Sequence, residues 1–149
     1  MKAVIQRVNH ASVTVENKLI SKIDNGLLIL LGISPIDTSA DIQWLTNKIA
    51  NLRIFNDDKG IMNTSLIDES ADAIVVSQFT LLANTKKGNR PSYTGAARPD
   101  LAIPLYEEFL QEFERLLQKK VGTGIFGADM KINLENDGPV TISIDTQNK

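Results

Sequence analysis

Ala73-Ile74-Val75-Val76-Ser77-Gln78-Phe79-Thr80-Leu81-Leu82-Ala83 is the stretch on which the fold turns. Mostly apolar and rich in β-formers, it predicts a central strand buried on both faces. Upstream, Lys2–Val8 and Ser12–Glu16 alternate apolar with polar, the pattern of half-buried strands. Lys18–Asp24 reads as a weaker strand. Asp24-Asn25-Gly26 signals a tight turn before the apolar run Leu27–Ile33, and together these strands predict an antiparallel meander. Between the meander and the central strand, Ile42, Leu45, Ile49 and Leu52 recur at helical spacing behind Thr38 or Ser39 as N-cap.

Downstream of the central strand comes a polar loop, Asn84–Arg98. A second helix is predicted from about Pro99 to Lys120, with Tyr106, Phe109, Phe113 and Leu116 or Leu117 on its inner face. Pro99 suits a first helical position, whereas Pro104 lacks an N–H and is expected to kink or delay the helix. Lys131–Glu135 and Val140–Asp145 alternate as two further strands joined by Asn136-Asp137-Gly138-Pro139. The order strands, helix, strand, helix, strands predicts an α/β fold: a compact, barrel-like curved sheet flanked by two main helices.

The chain has 149 residues, 16 Lys and Arg against 18 Asp and Glu, a net charge of −2, one His and no Cys. That length predicts one domain over 1–149. No Cys means no disulfide, thiolate zinc site, iron–sulfur cluster or Cys nucleophile. The apolar run Gly26–Ile33 falls far short of the ~20 residues that span a bilayer, and the start MKAVIQRV lacks a secretory core. A cytoplasmic protein without membrane contact is expected. Near-neutral charge argues against a large nucleic-acid footprint, yet Lys86, Lys87 and Arg90 form one local cluster, read either as a solvated loop or as a phosphate-binding patch.

No standard catalytic kit is present. His10 lies in an early strand or turn without a nucleophile elbow. Gly122, Gly124 and Gly127 follow a helix rather than open one, so they read as turn glycines and not as a phosphate loop. Asp57 and Asp58 sit in a turn, and Glu107 and Glu108 point in different directions on a helix. Two segments stand out. Ser77, Gln78 and Thr80 interrupt an apolar strand, and a buried, unpaired polar group costs roughly 1–3 kcal/mol. Such groups need backbone partners, a bulge that turns them outward, or a function. The second segment is Gly138-Pro139.

SQFTL at Ser77–Leu81 with NDGPVT at Asn136–Thr141 resembles the pair of signature motifs of the D-aminoacyl-tRNA deacylase family. Ile5–Glu16 (IQRVNHASVTVE), Gly26–Ile33 (GLLILLGI), Arg53–Asn63 (RIFNDDKGIMN), Lys87–Tyr93 (KGNRPSY) and Gly127–Met130 (GADM) follow the same order, so the resemblance covers essentially the whole chain. It implies the family's deacylase fold, a homodimer, and hydrolysis of the ester between a D-amino acid, or glycine mischarged on tRNA-Ala, and the terminal ribose of tRNA. No metal, cofactor or DNA is implied.

By the same resemblance Ser77, Gln78, Phe79 and Thr80 line the pocket for the ester. Gly138-Pro139 is the Gly-cisPro element that reaches into the partner subunit's pocket. Arg7 helps to orient that element, with Met130, Asn136 and Thr141 in support. Lys86, Lys87 and Arg90 would meet tRNA phosphates.

An activated ester needs mainly orientation and oxyanion stabilisation, for which the N–H groups of Phe79 and Thr80 are the candidates. A Thr nucleophile needs a nearby base; none is evident, so the Thr80 hydroxyl is read as a positioning group. The ribose 2′-OH would then assist the attacking water. Two alternatives stay open: a related trans-Gly-Pro deacylase of L-aminoacyl-tRNA, and a noncatalytic tRNA-binding module.

Overall fold

A computed structural model describes residues 1–149. Its elements are β1 (Lys2–Val15), β2 (Lys18–Ile23), β3 (Gly26–Gly32), α1 (Ser39–Ala50), β4 (Phe55–Asn56), β5 (Met62–Thr64), β6 (Asp72–Ser77), a 3-10 turn (Phe79–Leu82), α2 (Pro99–Leu117), β7 (Gly122–Thr123) and β8 (Met130–Asp145). The expected barrel-like sheet with two helices is what forms.

Strand β1 is its spine. One edge pairs antiparallel with β8 along nearly the full length of both. The other edge pairs antiparallel with β2 through Ala11–Val15 and with β3 through Lys2–Val8. The expected meander is therefore corrected: β2 and β3 lie end to end along one edge of β1, and Asp24-Asn25 interrupts them without reversing the chain. Beyond β3, the sheet continues through parallel β6 and then parallel β7.

Side-chain phase explains why β1 and β8 each read as two strands. Ala3 and Ile5 belong to the larger core of 22 buried residues, under the helices. Val8, Ala11 and Val13 belong to a second cluster of seven, with Ile23, Leu28, Ile74 and Val76. The register slips between Val8 and His10, so an extra residue moves the side-chain set to the other face. In β8, Gln6 opposes Thr141 while Val8 opposes Asn136, so Asp137–Val140 bulges out opposite Arg7. Asn136-Asp137-Gly138-Pro139 is thus a bulge inside one strand rather than a turn between two. Such bulges bend and twist their strands, which curves the sheet toward closure.

The central strand also ends early. β6 stops at Ser77, and Phe79–Leu82 coils into the 3-10 turn. The apolar run continues past the strand because Leu81 and Leu82 pack beneath Gly32, where an added Cβ would lie 2.4 Å from Leu82 Cδ2.

The helices follow their apolar periodicity. Thr38 is the N-cap of α1, and the Asp41 carboxylate accepts from its N–H at 3.0 Å and from its hydroxyl at 3.1 Å. Helix α2 runs unbroken through Pro104 and stops at Leu117, because Gln118 takes the left-handed conformation (φ +54). No helix is long and apolar enough to cross a membrane.

Candidate active site

Where β6 ends, a cleft of about 270 Å³ opens between Val76–Phe79 on one side and Phe126–Met130 on the other. Ser77 and Gln78 are half-buried on its wall, and Phe79 is exposed at its rim. The Gln78 N–H donates to Leu31 O at 2.7 Å, which fixes the chain as it leaves the sheet. The next N–H groups, of Phe79 and Thr80, open the 3-10 turn, and no side chain caps it. The first N–H groups of a helical turn have no partner within that turn, and neither of these two is bonded to backbone in a neighbouring loop or turn.

Thr80 is half-buried one residue beyond the cleft wall, and its hydroxyl accepts a short hydrogen bond from the Gln78 side-chain amide. The half-burial of the Gln78 and Thr80 side chains is thus explained by this local bond and by the turn that replaces the strand.

On the opposite wall, Gly127–Met130 stands out in the sequence and Phe126 does not. Phe126 was hidden in a Gly-rich stretch, where a lone aromatic carries no periodic signal. In the structure its ring meets Tyr106 edge-on, centroids 6.0 Å apart. Tyr106 donates its hydroxyl to Val75 O at 2.8 Å, and burial pushes the phenol up to about 12. Helix α2 thereby ties one wall of the cleft to the strand that carries the other. Met130, expected in support, lines the cleft, and an added Cβ on Gly124 would lie 2.3 Å from its sulfur.

A second group of expected residues gathers elsewhere. Arg7 is buried in the large core's layer, donating from Nη1 to Ile54 O at 2.6 Å and more weakly to Asn56 Oδ1 at 3.4 Å. Its Nε lies 2.9 Å from the Asp137 carboxylate, with the N–H not aimed for a hydrogen bond. The bulge it faces is stapled by Asn136, which accepts from the Val140 N–H at 2.7 Å and donates to Thr141 Oγ1 at 3.0 Å. Gly138 holds φ +121, and its peptide bond to Pro139 is cis. Neither Gly138 nor Pro139 lines the cleft of its own chain. The structure therefore brings Ser77, Gln78, Phe79 and Met130 together at one place, and Arg7, Asn136, Gly138, Pro139 and Thr141 at another.

Lys86, Lys87 and Arg90 are exposed on a loop whose stem closes through the Asn84–Ser92 backbone pair. His10 is exposed on β1. Asp57 does more than meet water: hydrogen bonds from the Ile61 and Lys59 N–H groups hold its carboxyl below the usual range while ordering the turn. No three His, Asp or Glu residues converge as metal ligands.

The family model for D-Tyr-tRNA(Tyr) deacylase matches residues 4–145. The chain is 60% identical over 149 residues to the D-aminoacyl-tRNA deacylase of Flavobacterium psychrophilum, and 56% identical to that of Bacteroides thetaiotaomicron, covering 100% of this chain and 99% of each relative. Among solved structures, it superposes on a c-Myc DNA Unwinding Element Binding Protein with a TM-score of 0.93 at 41% identity, over 97% of this chain and 98% of that one. A probable eukaryotic D-amino acid tRNA deacylase shares the fold with a TM-score of 0.81 at 17% identity, over 96% and 98%.

Proposed function

The chain belongs to the D-Tyr-tRNA(Tyr) deacylase family, and from that premise we propose that it hydrolyses the ester linking a D-amino acid to the 3′-terminal ribose of tRNA. One observation carries the chemistry: the Phe79 and Thr80 N–H groups open an uncapped 3-10 turn at the cleft, Phe79 on its rim and Thr80 one residue beyond, and no hydrogen-bonded nucleophile–base pair lines it.

Water attacks the ester carbonyl. The developing oxyanion is held by those N–H groups, each such donor being worth about 2.7–4 kcal/mol. Collapse breaks the bond to the ribose oxygen, which takes up a proton as the free amino acid and tRNA separate. The neighbouring 2′-OH orients the water and passes the proton, so removal of that hydroxyl stops the reaction. Thr80, held by Gln78, positions rather than attacks.

Selection between mirror images is by obstruction. In this reading the protein is a homodimer, and Gly138-Pro139 of one subunit forms a backbone wall inside the cleft of the other. An L side chain would strike the wall, a D side chain points away from it, and glycine passes, so glycyl-tRNA is a second substrate. Two features support the pairing of subunits. The 16-residue β8 pairs only with β1, leaving a long open edge, which proteins ordinarily cover. Beside it, Leu30, Met130, Ile132 and Leu134 are only partly buried against the small cluster. Lys86, Lys87 and Arg90 would meet acceptor-stem phosphates, with the salt dependence that implies. The residues act at one site on the reading that the whole chain is one domain, and a cytoplasmic location fits its tRNA substrate.

The test is release of amino acid from D-tyrosyl-tRNA with L-tyrosyl-tRNA as control. Multiple turnover on the D ester alone is expected. Equal rates on both esters, or turnover of the L ester only, would contradict the chiral wall, and binding without turnover would leave only a tRNA-binding module.

A further inference from the structure

Phe79 and Tyr93 form an edge-to-face pair, ring centroids 5.1 Å apart and planes at 75°. The chain has five Phe and two Tyr, and these two alone are exposed, at 56% and 40%. Large rings left in water cost free energy unless something covers them. Their surroundings state the chemistry of the cover. Phe79 is the rim of the cleft. Tyr93 follows directly on the stem of the loop that carries Lys86, Lys87 and Arg90. From Ala73 to Pro99 the chain has no carboxylate and four cations, the fourth being Arg98, although its net charge is −2.

The loop is built to hold Tyr93 in place. Ala96 N–H donates to Tyr93 O at 3.0 Å, Ala97 N–H donates to Ile33 O at 2.8 Å, and a Cβ on Gly95 would lie 3.3 Å from Leu82 O. An aromatic face set between a basic loop and a cleft is the arrangement that holds single-stranded nucleic acid, where bases stack on rings and phosphates meet cations.

We propose that the Phe79–Tyr93 pair is a stacking platform for the unpaired RNA base that precedes the nucleoside held in the cleft. This rests on the deacylase reading above. It adds a subsite that reads no sequence, because every base has a face to stack.

Two measurements test it. The first compares D-tyrosyl-tRNA with D-tyrosyl-adenosine, which lacks the preceding nucleotide. Tyr93→Ala is expected to lower kcat/KM about tenfold on the tRNA ester and less than twofold on the nucleoside ester, with Tyr93→Phe returning the tRNA rate to within about twofold of the parent. Equal losses on both substrates, or none on either, would overturn the platform. A purely structural role gives the equal loss, by letting Phe79 shift. The second measurement needs no hydrolysis: an uncharged RNA hairpin with a single-stranded 3′ end carries 2-aminopurine at its next-to-last position. Quenching by the parent protein that is lost in Tyr93→Ala supports the platform even if no ester is cleaved, in which case only the deacylase reading falls. Quenching unchanged in Tyr93→Ala overturns it.

Discussion

At the scale of single residues, Thr80 and Gly138 separate what side chains do here from what the backbone does. The Thr80 hydroxyl accepts from the Gln78 amide, and no base stands beside it to make it a nucleophile. Thr80→Ala should therefore cost about tenfold in kcat, equivalent to roughly 1.4 kcal/mol, with the fold intact. A variant that is folded, binds tRNA and is wholly inactive would make Thr80 the nucleophile. Gly138 has no side chain to contribute, yet its φ of +121 and a Cβ position 2.9 Å from Val140 Cγ2 and 3.1 Å from Arg7 Nη2 leave no room for one. Gly138→Val should displace Arg7 and the bulge together and nearly abolish turnover, measured beside circular dichroism to show that the sheet persists.

Elements show what the sequence displays and what it hides. Helix α1 was legible because its period and its N-cap agree, and its start yields a prediction of sign as well as size. Burial alone would raise the Asp41 carboxyl, but hydrogen bonds from Lys149 and from the Thr38 N–H and hydroxyl outweigh it and hold the group below its ordinary value. A lowered folded pKa means that the stabilisation is complete above the unfolded value and is lost as pH falls through the folded one. Asp41→Asn should cost roughly 0.3–1 kcal/mol at pH 7, the worth of a carboxylate in the first turn of a helix, and the gap in melting temperature should narrow as pH falls below about 4. A gap that stays constant with pH would show that the charge plays no part.

The long strands were half legible for a physical reason. Alternation marks a strand only while its side chains keep one phase, and the slips at Val8–His10 and Asp137–Val140 break that phase, so each strand read as two. The 3-10 turn at Phe79–Leu82 was hidden by its apolar residues, which look like strand until Gly32 is seen against Leu82. In the candidate site, Ser77, Gln78 and Thr80 stand out as polar residues in an apolar run. Phe126 does not, and no local pattern could place it across from them.

Across the whole molecule, the two groups of residues that resemble the family's motifs lie at different places in one chain. Gly138 and Pro139 are absent from the cleft that Phe79 lines, and β8 carries an open edge. The proposed homodimer would bring the two together, and sedimentation should then give twice the chain mass.

The most direct test of that account mixes subunits. Gly138→Val and Phe79→Pro chains, each inactive alone, are denatured together and refolded as mixed dimers, and hydrolysis of D-tyrosyl-tRNA is measured. If the Gly138 wall serves the partner's cleft, each mixed dimer holds one intact site, and activity returns to about half that of the parent per mixed dimer. If the mixed dimers form and remain inactive, Gly138 and Phe79 act within one chain, and the cross-subunit wall is wrong.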